Sequence, residues 1–287
     1  MKKRVSFITL GCKVNQYETN AMMQKFQENG YEIVEIDNVS DICVVNTCTV
    51  TNMSDRKSRQ ALRKVKDKNK DAIIVATGCY AQSSKEELEK MPEIDVVLGN
   101  EEKRDIVKYV EKYFEQNQKL TAVQDISVQK EFEDMGQISY TEKIRAVIKV
   151  QDGCNQFCSY CIIPYTRGNV RSKKKENVIS EIKALVKNGY KEVVLTGIHT
   201  GHYGQDLKEY DFSDLLLELE KIDGLERIRI SSIEITELTD KFMDVLKTSK
   251  KIVNHIHIPL QSGCDKILKA MNRKYDMQYF INKINQY

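Results

Sequence analysis

Short apolar runs at residues 5–10, 42–45, 72–76 and 96–98 recur through the first third of a 287-residue chain, with amphipathic stretches between them. Such runs read as strands buried on both faces, and strand alternating with helix predicts a parallel α/β sheet covered by helices on both sides. The helical stripes are explicit. Tyr17, Ala21, Met22 and Phe26 recur at helical spacing and stop at Gly30, and Ile106, Val107, Val110 and Phe114 form a second stripe. Between residues 117 and 143 the periodicity fades into a polar, acid-containing stretch that reads as a linker. The alternation then resumes, with strands expected at 144–150, 192–196, 227–231 and 252–258 and a helix carrying Val178, Ile179, Ile182, Leu185 and Val186. These four successive βα units are the material of a whole or partial barrel. The expected organisation is an N-terminal α/β domain over 1–116, a linker over 117–143 and a second domain over 144–287.

Length and composition agree with two globular domains, since apolar residues make up 41% and charged residues 30% of the sequence. No stretch approaches the ~18 apolar residues of a membrane span. The basic start, MKKRVSFITLGCKVNQYE, runs into polar residues at once with no small-residue cleavage site. Net charge is only +3, so any nucleic-acid site must come from local clustering. Without an export signal the expected location is the cytoplasm. There, eight cysteines at ordered spacings read as metal ligands or catalysts before disulfides.

Cys154, Cys158 and Cys161 form CxxxCxxC directly after the first strand of the second domain. Three thiolates on one loop can hold three irons of a [4Fe-4S] cluster and leave the fourth open to a substrate. The alternatives are buried free thiols, or a zinc site with Cys264 as a remote fourth ligand. Cys12, Cys48 and Cys79 each follow the carboxyl end of an expected parallel strand, in TLGC, VNTC and ATGC. Those ends lie along one sheet edge, where ligands bind, so three loops could bring three thiolates together. Cys43 lies inside a strand and reads as a buried apolar thiol, and Cys264 as structural.

The CxxxCxxC spacing resembles that of the radical S-adenosylmethionine (SAM) superfamily. The words GCKVNQYETNAM, VVNTCTVTNMSDRKSRQ and TGCYAQ, followed by PYTRGNVRSK, LTGIHTGHYG, RISSIEI and IPLQSGCDKILKAMNRKY, are similar in order and spacing to the methylthiotransferases. The segment TVTNMSDRKSRQ looks most like the branch acting on threonylcarbamoyladenosine at position 37 of tRNA, the MtaB type, and PYTRG fits the tRNA branches. Lys173 departs from the arginine expected there and loses the bidentate fork.

This resemblance implies two [4Fe-4S] clusters, an auxiliary one on Cys12, Cys48 and Cys79 and a SAM-cleaving one on Cys154, Cys158 and Cys161. It further implies that Tyr160 packs beside the adenine of SAM, and that Thr196, Gly197, Glu234 and Gln261 contact its methionine and ribose parts. The partners implied are tRNA and an electron donor such as flavodoxin or ferredoxin. Related enzymes continue through further βα units into a small C-terminal β domain, so the resemblance also implies an incomplete radical SAM barrel and a fragment. Rival readings are a methylthiotransferase for isopentenyladenosine tRNA or for a ribosomal-protein aspartate, and a non-catalytic zinc or RNA-binding protein.

Between Arg56 and Lys70 stand eight Lys or Arg and one acid, while Ser58, Ala61, Leu62 and Val65 keep one face for packing. Such a helix is either a solvated face or, beginning at the expected cluster edge, a phosphate contact through Arg56, Arg59 and Arg63. Lys173, Lys174 and Lys175 are a second basic candidate. His199 and His202 follow the second barrel strand and can line the pocket, whereas His255 and His257 alternate along an expected strand and read as core histidines.

Overall fold

The computed structural model describes residues 2–136, 138 and 144–286. Two units emerge: residues up to 129 with 133–136, 138 and 165–167, and a second comprising 130–132, 144–164 and 168–286. No helix among the described residues is long and apolar enough to cross a membrane.

The first unit runs β1 (Arg4–Thr9), α1 (Lys13–Glu28), β2 (Glu32–Ile33), β3 (Ile42–Thr47), α2 (Asn52–Lys68), β4 (Ile73–Gly78), α3 (Cys79–Ser83), α4 (Lys85–Glu89), β5 (Val96–Leu98), α5 (Ile106–Gln116) and β6 (Leu120–Ala122). Its sheet has the order β2-β1-β3-β4-β5-β6 with every pairing parallel. Every residue of β3, β4 and β5 is buried, the burial on both faces that their unbroken apolar runs predict. The α1 stripe is buried as read, and Phe26 packs edge-to-face on Phe7 and Tyr31. Cys43 is an interior thiol hydrogen-bonded by Ser6 and Ser40.

Strand β6 lies inside the stretch read as a linker and pairs with β5 in the register Val96↔Leu120. Three residues are too few to show a periodicity. The strand is secured by its backbone bond to Asp95 (3.0 Å) and by Lys119, whose ammonium donates to the carbonyl of Met91 at 2.7 Å.

In the second unit follow β7 (Arg145–Lys149), β8 (Gln151–Asp152), α6 (Ile163–Arg167), whose last three residues group with the first unit, β9 (Arg171–Ser172), α7 (Lys175–Lys187), β10 (Glu192–Thr196), α8 (Phe212–Glu220), β11 (Arg227–Ile230), α9 (Asp240–Thr248), α10 (Asp265–Ala270) and α11 (Met277–Gln286). A parallel sheet of order β11-β10-β7 is packed through Val178, Ile182, Leu195, Leu216, Ile228 and Phe242.

The strand expected at 252–258 is not formed. Ile252 makes one parallel bridge to Ile228, after which His255 N–H folds back to the Val253 carbonyl at 2.7 Å and the ladder ends. The alternation that suggested a strand has another cause: Ile252, Ile256 and Ile258 pack on the core from an extended segment. His255 and His257 point the other way and are exposed, which corrects their reading as core histidines.

Candidate functional site

Because β1, β3 and β4 are parallel neighbours, their carboxyl ends deliver Cys12, Cys48 and Cys79 to one edge of the first sheet. Gly78, at φ +99°, makes the approach possible: a side chain there would clash with the Thr47 backbone. A methyl group built on Gly11 would stand 3.2 Å from the Cys48 sulfur, so Cys48 abuts the loop that carries Cys12. None of these thiols is in a disulfide.

Beneath the cysteines lies a buried polar network. Arg167 donates Nε–H to the Cys79 sulfur at 3.1 Å and a terminal N–H to Asn15 Oδ1 at 2.7 Å, and it forms an ion pair with Glu18. Glu18 also pairs with Lys103, and the side chains of all three charged residues have no exposure. Asn15 in turn donates to the carbonyls of Leu10 and Thr47, tying α1 to the strand ends. Cys12 is exposed as a residue, but the protein packed around its sulfur pushes the thiol pKa up, and the Arg167 charge opposes the rise. Burial likewise lowers the Lys103 pKa against the pull of Glu18. Three unpaired thiols with a guanidinium N–H on one of them fit an anionic iron–sulfur cluster.

Sequence reading missed Asn15, Glu18, Lys103 and Arg167. The available signal was Glu18, a charge set inside the buried stripe of α1.

In the second unit the loop between β8 and α6 carries Cys154, Cys158 and Cys161, all part-buried. Gly153, at φ +72°, lets the loop turn where any side chain would clash with the Asn169 carbonyl. The three cysteines line a cleft of about 180 Å³ together with Tyr160, His199, Glu234, Gln261 and Arg273. Arg273 pairs with Glu234 and hydrogen-bonds the Tyr160 hydroxyl, which donates to Gln261 Oε1 at 3.2 Å. Burial raises the Cys158 and Cys161 pKa values, and Arg273 moderates both. Three unpaired thiols facing a cleft with polar groups on the far wall fit a cluster that leaves one iron to a small ligand.

Of the residues expected to bind SAM, Tyr160, Glu234 and Gln261 meet in this cleft. Thr196 is buried at the end of β10, and Gly197 packs on the Gln151 side chain, so neither is among the residues that line it.

His199 lies in the cleft with Nδ1 3.4 Å from the Cys154 sulfur and Nε2 against Glu237. Its ring stacks on His202 with centroids 3.6 Å apart, and His202 Nε2 is 3.5 Å from Glu237. The three residues thus bring nitrogen and oxygen donors close enough to share a metal ion, a grouping that no sequence motif signals. Burial alone would lower the His199 pKa, but hydrogen bonds to Cys154 and Glu237 outweigh it and push it up to about 10. Burial and the His199 charge bring His202 down to about 4.

The basic helix forms as α2, capped by Thr51 and packed through Ser58, Leu62 and Val65. Its arginines differ. Arg59 donates to the Tyr80 hydroxyl at 2.7 Å and pairs with Glu87 at 3.2 Å; Arg63 stands 3.6 Å from Glu93; Arg56 is exposed. Lys173 is no surface cation: it is buried with its ammonium 2.8 Å from Glu181, and Lys175 covers the Tyr210 ring.

Residues 4–99 match a family described as Uncharacterized protein family UPF0004, and residues 148–287 match the Radical SAM superfamily. The chain is 48% identical over 283 residues to the threonylcarbamoyladenosine tRNA methylthiotransferase MtaB of Bacillus subtilis, covering 98% of this chain and 63% of that protein. It is 44% identical over 282 residues to MtaB of Aquifex aeolicus, covering 98% and 68%, and 35% identical over 298 residues to the tRNA-2-methylthio-N(6)-dimethylallyladenosine synthase of Carboxydothermus hydrogenoformans, covering 99% and 66%. The chain therefore spans about two thirds of these relatives. Among solved structures, the radical SAM methyltransferase TsrM of Kitasatospora setae shares the fold at TM-score 0.68 with 12% identity, covering 99% of this chain and 66% of that one.

Proposed function

The chain belongs to the MtaB-type family of radical SAM methylthiotransferases, and from that premise we propose that it transfers a methylthio group to carbon 2 of N6-threonylcarbamoyladenosine at position 37 of tRNA. The observation that carries this reading is the presence of a separate cysteine triad in each unit, each with cationic or hydrogen-bonding support of its own.

Cys154, Cys158 and Cys161 would hold a [4Fe-4S] cluster with one iron open, which when bound supplies the electron that cleaves SAM. Tyr160, Glu234 and Gln261 would bind SAM, with Thr196 and Gly197 shaping the strand end behind them. Arg273 would hold Glu234 and Tyr160 in one orientation. Cys12, Cys48 and Cys79 would hold the auxiliary cluster, with Arg167 orienting the Cys79 sulfur and the buried Glu18–Lys103 pair closing the floor to water. On α2, Arg56 has no carboxylate partner among the described residues and offers its charge to tRNA phosphate, while Arg59 and Arg63 must exchange their carboxylate partners to join it. The working compartment is the cytoplasm, with flavodoxin or ferredoxin as electron donor.

The test is single-turnover reaction of the anaerobically reconstituted protein with SAM, reductant and anticodon stem-loops carrying either threonylcarbamoyladenosine or isopentenyladenosine. Methylthio product on the first alone is expected. Product on the second alone, or a colourless protein that binds zinc, contradicts the proposal.

A further inference from the structure

Tyr165 projects from an anchored segment of the first unit. Thr166 and Arg167 beside it are fully buried, yet Tyr165 is 69% exposed. A hydrogen-bonded frame holds the backbone that presents it: Asn100 Nδ2 donates to the Thr166 carbonyl at 2.6 Å, and the Asn100 N–H donates to Gln82 Oε1 at 2.8 Å. Gln82 Nε2 in turn donates to the Gln124 carbonyl at 2.8 Å, tying α3 to the loop after β6. Tyr165 forms one wall of a cavity of about 250 Å³ that this frame encloses, with Val123 and Ile126 as its apolar lining. The cavity belongs to the edge that carries the first cysteine triad. Cys79 opens α3, so Gln82 and Ser83 in the opposite wall stand about one helical turn, roughly 5 Å, beyond it. Residues 123–126 follow β6 at the carboxyl edge of the same parallel sheet, where open α/β sheets take their ligands. Tyr165 itself lies two residues before Arg167, the donor to the Cys79 sulfur. Both walls are therefore tied to one cysteine.

We propose that Tyr165 is a stacking platform for the unpaired tRNA nucleotide next to the target adenosine, whose base enters this cavity by its amino-bearing edge. The inference rests on the reading of tRNA as the substrate. A base drawn out to a reactive site leaves its stack, which uncovers a face of its neighbour. A rigid, exposed aromatic ring is what single-stranded bases stack on. The polar lining selects the base and not the phosphate: Glu86 and Asp125 outnumber Lys85, so the cavity repels an anion and accepts hydrogen bonds from an exocyclic amino group. Stacking there would hold the target beside Cys12, Cys48 and Cys79 without touching it.

The experiment uses anticodon stem-loops carrying threonylcarbamoyladenosine with 2-aminopurine, a fluorescent base with an exocyclic amino group, on one side of it or the other. Each is titrated with the anaerobically reconstituted full chain as wild type, Y165F or Y165L at equal iron content, so that quenching by the clusters is common to all. Wild type and Y165F should quench one of the two probes beyond the other. Y165L should lose that extra quenching and bind about 5- to 150-fold more weakly by anisotropy, the usual worth of one base stacked on an aromatic ring, with its melting temperature unchanged. Wild-type quenching and affinity in Y165L overturn the inference, as does a lowered melting temperature with quenching retained, which would mark a packing residue. Should Y165L fail to fold, S83L decides by filling the cavity with Tyr165 in place: lost quenching supports the site, and wild-type quenching overturns it. A wild type that does not bind the stem-loops at all would instead reject tRNA as the substrate, a distinct failure.

Discussion

Arg167 donates Nε–H to the Cys79 sulfur across 3.1 Å while its other nitrogens engage Glu18 and Asn15, so a guanidinium without solvent exposure ties a cysteine to a buried carboxylate. Removing one partner of a buried pair leaves the other charge uncompensated, at a cost of about 3–5 kcal/mol. R167L should lower the urea midpoint accordingly and reduce iron bound at Cys12, Cys48 and Cys79. R167K, which keeps the charge but loses the planar fork, should fall between. Urea titration with iron analysis decides; wild-type values for R167L would refute the role.

Two triads predict two clusters. C154A/C158A/C161A should retain the auxiliary cluster and about half the iron of the reconstituted wild type, since each triad serves one [4Fe-4S] centre. Visible absorbance and iron analysis are the measurements. Full iron retention in the triple variant would show that these cysteines hold none of it.

The tyrosine at residue 80 supplies a pH prediction. Its hydroxyl donates to Glu87 at 2.6 Å and accepts from Arg59 at 2.7 Å. Burial and the Glu87 hydrogen bond raise its pKa to about 12 against the opposing pull of Arg59. The folded state therefore favours the protonated phenol. Its contribution to stability is complete below the ordinary tyrosine pKa of about 10 and is lost as pH climbs toward 12. The ultraviolet titration difference between wild type and Y80F should show one phenolate appearing near pH 12; appearance near pH 10 would contradict the hydrogen-bonded arrangement of Tyr80 with Arg59 and Glu87.

On α2 the ion pairs separate three arginines that look alike in sequence. R56A should weaken tRNA binding and reduce the salt slope of log K by about 1, the loss of one phosphate contact. R63A should change both less, because its guanidinium already faces Glu93. Anisotropy titrations at several salt concentrations distinguish the two, and equal losses would show that the carboxylate partners exchange freely.

The parts of the fold that were legible in sequence are those in which burial dictates residue type. β3 and β4 are unbroken apolar runs because helices cover both faces, and α1 shows its stripe because one side meets the sheet. Cysteines at the ends of β1, β3 and β4 were legible as neighbours on one sheet edge, and so as a candidate site, because parallel neighbours end together. β6 was not, since three residues cannot display a period. Segment 252–258 misled because Ile252, Ile256 and Ile258 alternate inward whether or not a ladder forms. The contacts of Arg167 with Glu18 and of His199 with Cys154 span 149 and 45 residues, distances over which local pattern carries no information.

The modified base proposed above is threonylcarbamoyladenosine. Mass analysis of tRNA nucleosides from cells lacking this protein tests it most directly, with the gene restored on a plasmid as control. We expect that 2-methylthio-threonylcarbamoyladenosine disappears, that unmethylthiolated threonylcarbamoyladenosine accumulates in its place, and that methylthiolated isopentenyladenosine is unchanged. Loss of the methylthio group from isopentenyladenosine, with threonylcarbamoyladenosine unaffected, would contradict it.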